Sequence, residues 1–182
     1  ISNFHEESSI SRSNMAFNYF NDSGYDTKAL YSSFSHSLRK HRKLKNKNFI
    51  SLKTFSYKSS VSIKRILSHF IFSLKVFIFL GKNKFDLIYI NLPPNMIGLP
   101  LLLRKSSYSK LIVDIIDLWP EALPTKKENL FKKVVLKFAG LFPKMIRKRT
   151  VESSDFCITE SKYFETLLNL QNKKMCTVIH IK

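Results

Sequence analysis

The chain has 182 residues, room for one sizeable domain and too few for two ordinary ones. A hydrophobic content of 44%, with 16 Phe and 7 Tyr, excludes a disordered polar chain. A net charge of +18, from 31 Lys and Arg against 13 Asp and Glu, favours an anionic partner: nucleic acid, an acidic membrane surface or a phosphorylated substrate.

In chain order, β-type runs alternate with helical patterns. Strands are expected over Ile1–Phe4, Asp26–Tyr31, Phe49–Phe55, Asp86–Asn91, Leu111–Ile116, Phe156–Thr159 and Thr177–Ile181. Helices are expected over Ser11–Asn21, Ser60–Leu80, Met96–Lys105, Glu128–Ser153 and Lys162–Leu170. This alternation, with runs apolar on both faces, predicts an α/β fold: a mostly parallel, Rossmann-like sheet flanked by helices, as one domain over residues 1–182. Ile1–Phe4 reads as the tail of a strand, so residues are expected to precede it.

Between the second and third strands, Phe34–Asn48 carries Arg39, Lys40, Arg42, Lys43, Lys45 and Lys47. Like charges at this density repel, which predicts an exposed loop, either merely solvated or touching phosphate or acidic lipid. Ile66–Leu80 is the most apolar segment but falls short of the about 20 apolar residues a bilayer-crossing helix needs. With His69 and Lys75 inside it, it reads as a helix packed on the sheet. In Glu128–Arg149, Phe131, Val134, Val135, Phe138, Phe142, Met145 and Ile146 recur at helical spacing, while Lys132, Lys133, Lys137, Lys144, Arg147, Lys148 and Arg149 fill much of the rest. That pattern fits either an ordinary surface helix or a basic amphipathic helix lying on an anionic membrane, with Pro143 expected to kink or divide it.

The 4 glycines are scattered, so neither a dinucleotide Gly-x-Gly-x-x-Gly loop nor a phosphate-binding P-loop is present. The 5 histidines show no ligand spacing, and the 2 cysteines, Cys157 and Cys176, form no metal or redox motif. No cofactor and no metal site are expected.

The richest stretch is KLIVDIIDLWPEALP, Lys110–Pro124. A buried strand ends in an acid and the only tryptophan, at the carboxyl edge where open α/β sheets bind ligands. Asp114 and Asp117 are three apart and therefore point to opposite faces. Asp117, at the strand's exit, is the better candidate to accept a hydrogen bond from a hydroxyl or to act as its base. Trp119 belongs either to that edge or to the core, and Glu121 either to the site or to a turn cap. Asn91-Leu-Pro-Pro-Asn95 ends the preceding strand at the same edge. Amides beside a carboxylate suit a polyol, and Asn95 is equally placed to cap the next helix.

Together, FDLIYINLPPNMIGLPLLL, KLIVDIIDLWPEAL and SSDFCITESKYFETLL resemble the amino-terminal domain of family 4 glycosyltransferases, above all bacterial members that build capsular, O-antigen or exopolysaccharide chains. Upstream, SRSNMAFNYFNDSGYDTKALYSSFSHSLRKHRK is similar to their first helix, second strand and basic loop. The resemblance implies one lobe of a GT-B architecture, in which two Rossmann-like domains face each other across a cleft. This lobe would take a lipid-linked or polysaccharide acceptor at the cytoplasmic, inner face of the cell membrane. A second lobe would hold the nucleotide-sugar donor. It places Asp117 as the catalytic candidate, with Asn91, Pro94, Asn95, Trp119, Glu121, Glu160 and Ser161 beside the cleft. By the same resemblance the first loop, Asn3–Ile10, would face the reacting sugar; the family's glycines are absent there, with His5, Glu6 or Ser8 as the candidates to stand in for them. Arg39, Lys40, Arg42, Lys43, Lys132, Lys133, Lys137, Arg147 and Lys148 are expected at a membrane or phosphate. A donor domain is not expected within these residues, so the chain alone is expected to transfer little or no sugar. The competing readings are a basic nucleic-acid-binding protein, with Phe55 and Tyr57 stacking bases beside Lys53 and Lys58, and an inactive remnant. The basic residues are spread along the chain and no nucleic-acid-binding pattern appears, so nucleic acid is not the expected partner.

Overall fold

Strands in this protein pair in parallel wherever helices separate them in sequence. The computed structural model describes residues 1–3, 11–59, 62–119, 130–170 and 176–178, with the backbone alone for 130–139 and 176–178. Helix α1 (Arg12–Asp22) precedes β1 (Ala29–Ser32), the short β2 (Phe34–Ser35) and β3 (Lys40–His41), and β4 (Phe49–Leu52). Helix α2 (Ile63–Leu80), β5 (Phe85–Leu92), α3 (Gly98–Leu103) and β6 (Tyr108–Ile115) follow. The remainder is α4 (Leu130–Ser153), β7 (Phe156–Thr159), α5 (Lys162–Leu167) and β8 (Cys176–Val178).

Strands β5, β6, β7 and β8 form one parallel sheet in that order. β1 and β4 pair in parallel beside it. Residues 1–2 join the two. Ser2 N donates to Leu30 O and bridges Tyr31 in parallel, while Asn91 N donates to Ile1 O and Ile1 N to Tyr89 O. The order across the molecule is therefore β4, β1, residues 1–2, β5, β6, β7, β8. This is the doubly wound order, with the first strand in the middle and the chain reversing direction of growth between it and β5.

Alternation along the strands sorts the two faces. Ile88, Ile90 and Leu92 of β5 pair in register with Leu111, Val113 and Ile115 of β6, and Val113 with Cys157 of β7. All pack with Phe72, Val76 and Leu80 of α2, Leu101 of α3 and Val151 of α4. Each fully buried aliphatic side chain contributes on the order of 1.5–3 kcal/mol, so this face is the main source of cohesion. Tyr89, Asn91, Asp114 and Ile158 lie on the other face, toward α1.

Serines cap three of the helices: Ser11, Ser62 and Ser161 accept from the backbone N–H of Asn14, Arg65 and Phe164, at 3.3, 3.2 and 3.4 Å. Helix α3 meets α4 through Gly98, where an added Cβ would lie 1.9 Å from Thr150 Oγ1.

Three expectations are corrected. Pro143 does not divide α4, which runs unbroken through it; the next turns are tied down by buried Ile146, Arg147 and Thr150. Phe34–Asn48 is not simply an exposed loop. Phe34 and Ser35 are buried and pair antiparallel with His41 and Lys40, because Phe34 packs on the Tyr57 ring at 4.7 Å. Asn95 is not a helix cap: it is the first residue of a 3-10 turn, Asn95–Ile97, that precedes α3.

Helix α2 packs on the sheet, but its outer face is apolar. Ile63, Ile66, Leu67, Phe70, Leu74 and Ile78 are exposed, whereas Ser68, His69 and Ser73 are turned inward with Phe72 and Val76.

Candidate functional site

Parallel pairing brings the carboxyl ends of residues 1–2, β5, β6 and β7 to one edge of the sheet. Asn91 and Asp114 are register partners there, and Asp114 in turn pairs with Ile158, two residues before Glu160. Arg12 reaches the same place from the first position of α1.

Asp114 is the hub. It is wholly buried and accepts from Arg12 Nε at 2.9 Å, from Arg12 Nη2, from the Tyr89 hydroxyl and from Asn91 Nδ2 at 2.9 Å. Arg12 Nη1 lies 3.5 Å from Glu160 Oε1. Burial raises the Tyr89 pKa, with Asn91 and Arg12 opposing, so the phenol stays protonated and donates. A carboxylate engaged by four donors is not a free base. Its work is to fix the Arg12 fork and the Asn91 amide at the rim.

Three buried amide oxygens at this edge, Asn3 Oδ1, Asn91 Oδ1 and Asn95 Oδ1, have no hydrogen-bond partner among the described residues. Asn3 and Asn91 stand at the ends of residues 1–3 and of β5, the pair of strands between which the topology reverses, and Asn95 follows in the turn after β5. Buried polar atoms are seldom left unpaired, and a crevice at the reversal point is where doubly wound sheets hold ligands.

Beyond β6 the chain turns to the opposite face. Asp117 is exposed and Leu118 buried, and the field of Asp117 reaches Arg65 in the first turn of α2. The half-buried Trp119 is fixed by its backbone: its carbonyl accepts from Asn95 Nδ2 at 2.7 Å and Arg147 Nη1 at 3.0 Å.

The sequence-predicted residues thus separate. Asn91 and Glu160 converge on Arg12 and Asp114. Asn95 and Trp119 form a pinned exit from β6, Pro94 is buried beside them, and Asp117 is exposed on the α2 side, near Arg65. Ser161 sits at the edge, but its hydroxyl caps α5. His5 and Glu121 lie outside the described residues, as do the side chains of Lys132, Lys133 and Lys137. Arg39, Lys40, Lys43 and Lys148 are exposed and Arg42 half-buried. Arg147 departs from its expected surface role: it is 5% exposed and its guanidinium holds the Trp119 carbonyl, so it is a structural pin. Tyr57, paired with Phe55 for base stacking in the nucleic-acid reading, is buried.

Sequence reasoning missed Arg12 and Tyr89, set Asp114 aside, and included Asn3 only as the first residue of the loop Asn3–Ile10. The available signals were Tyr89-x-Asn91 at the spacing that puts both on one face, and an Arg directly after a capping Ser. Among the described residues no group of three or more His, Cys, Asp or Glu is placed to hold a metal ion. No protein-family model matches the chain, and no curated protein matches it.

Proposed function

We propose that these residues form the acceptor-side lobe of a sugar-nucleotide-dependent glycosyltransferase of GT-B architecture. The lobe serves surface-glycan synthesis on a lipid-linked or polysaccharide acceptor at the cytoplasmic face of the membrane, and a separate lobe brings the nucleotide-sugar. The observation that carries this reading is the open, buried amide oxygen of Asn91 at the reversal point, whose Nδ2 is held by Asp114 of the Arg12–Asp114 pair. Such an acceptor matches sugar hydroxyls, which donate, and the Asp114 cluster behind it holds the Asn91 amide in place before binding. Asp117, exposed at the exit of β6, accepts from the attacking hydroxyl. Transfer gains rate from positioning acceptor against donor, so a lobe that only orients the acceptor performs half of the task.

Membrane association is supported by the outward apolar side of α2 and by the exposed Leu141, Phe142 and Met145 of α4, with exposed Lys148 and Arg149 nearby. Apolar side chains among cations suit the interface of an anionic bilayer. No helix among the described residues is long and apolar enough to cross a membrane.

The test is flotation with vesicles of matched negative charge that carry either a sugar-diphosphate lipid or a sugar-free acidic lipid. The reading requires tighter binding to the sugar-bearing vesicles, weakened by Asn91→Ala. Equal binding to both sinks it.

A further inference from the structure

We propose that His36, Arg39, Tyr57 and Arg65 form an anion site for a phosphate or diphosphate group, on the α2 side of the sheet's carboxyl edge. Three separate pieces of chain supply it. His36 and Arg39 come from the turn between β2 and β3, Tyr57 from the segment after β4, and Arg65 from the first turn of α2. They meet around one ring: Arg39 Cζ and Arg65 Cζ are 5.9 and 6.0 Å from the Tyr57 centroid. His36 Nδ1 is 3.2 Å from the Tyr57 hydroxyl. The ring itself is anchored by Phe34 at 4.7 Å and His69 at 6.3 Å, so the polar groups are arranged on a rigid base.

The cations gathered here repel one another. Burial lowers the Arg65 pKa, the Arg39 charge lowers it further, and Tyr57 and Asp117 oppose. Burial, then Arg65 and Arg39, likewise lower His36. Arg39 also sits at φ +53°, a left-handed backbone that costs a non-glycine residue on the order of 1 kcal/mol. A phosphate group would offset the repulsion and match the planar guanidinium forks. The N-terminus of α2, an 18-residue helix without an acid in its first turn, adds partial positive charge at the same point.

The natural ligand, an acceptor's phosphate, rests on the acceptor-side reading; the anion chemistry does not. The test is calorimetric titration of the 182-residue chain with inorganic pyrophosphate. Saturable binding is expected. Arg39→Ala and Arg65→Gln should each weaken it by about tenfold or more, and Lys43→Ala, an exposed cation of the same segment, by less than about twofold. Absence of saturable binding, or an equal loss with Lys43→Ala, overturns the site. Should Arg65→Gln unfold by circular dichroism, the exposed Arg39 decides alone. Phosphatidic acid vesicles that displace pyrophosphate assign the group to a lipid headgroup; pyrophosphate binding without displacement assigns it to a free phosphate compound, and both uphold the site. Pyrophosphate binding without sugar-dependent flotation keeps this site and removes the transferase reading, whereas the reverse removes the site alone.

Discussion

Replacing Asp114 by Asn removes the charge at the centre of the buried cluster while keeping its shape. The carboxylate has no solvent exposure and the Arg12 side chain 9%, so the remaining guanidinium has little water to turn to. Breaking a buried pair by removing one partner costs roughly 3–5 kcal/mol. Glu160, 3.5 Å from Arg12 and 39% exposed, takes up part of that charge, which places the expectation near about 3 kcal/mol. With a urea m-value of about 2 kcal/mol/M, the unfolding midpoint should fall by about 1.5 M. Arg12→Met should cost as much or more, because it strands a fully buried carboxylate. The double variant Arg12→Met/Asp114→Asn should recover part of the loss, since the two charges leave together and Asn91 and Tyr89 keep an acceptor. Urea unfolding of all four proteins forms the cycle. A loss under about 1 kcal/mol in Asp114→Asn, or strict additivity in the double variant, would refute the view of Asp114 as the hub.

Other consequences are open to measurement. Burial, with Arg65 and His36 adding to it, lowers the His69 pKa to about 3, while the unfolded chain takes up that proton near 6.5. Its contribution is therefore complete above about pH 7 and falls by about 1.4 kcal/mol per pH unit below 6.5. His69→Gln should flatten the stability profile between about pH 5 and 6.5, and an unchanged slope would contradict the burial. Gly98→Ala drives a methyl into Thr150 Oγ1, which is itself engaged with Ile146 O at 2.7 Å. We expect a loss of about 1–3 kcal/mol in thermal or urea unfolding, partly restored by Thr150→Ala. Leu67→Glu and Leu74→Glu, on the outer side of α2, should leave stability within about 0.5 kcal/mol yet reduce flotation on acidic vesicles. Full flotation of both would take α2 out of the membrane contact.

The strands of the sheet were readable because LIVDII and LIYIN are short runs rich in Ile, Leu and Val, the composition of a buried parallel strand. The opposite orientations of Asp114 and Asp117 followed from strand alternation, and the structure has one buried toward α1 and the other exposed. Their relative importance was not readable. Asp114 looked like an unremarked strand residue until Arg12, more than a hundred positions away, was brought against it by the fold. Burial of Arg147 was hidden for a similar reason: in a helix crowded with Lys and Arg, nothing local distinguishes the one side chain that turns inward to a backbone carbonyl. The short β2–β3 pairing was masked by the charge density of Phe34–Asn48, although Phe34 at its start was an anchor. In α2 the apolar content was evident, but not that Ser68, His69 and Ser73 would face the core and leave the larger side chains outside.

Hydrogen–deuterium exchange of the chain on acidic vesicles, with and without a sugar-diphosphate lipid at constant charge, addresses the reversal point at the sheet's carboxyl edge most directly. Sugar-dependent protection at the ends of β5 and β6, around Asn91–Asn95 and Asp114–Trp119, is the result this account predicts. Protection confined to α2 and α4, identical with and without the sugar, would contradict it.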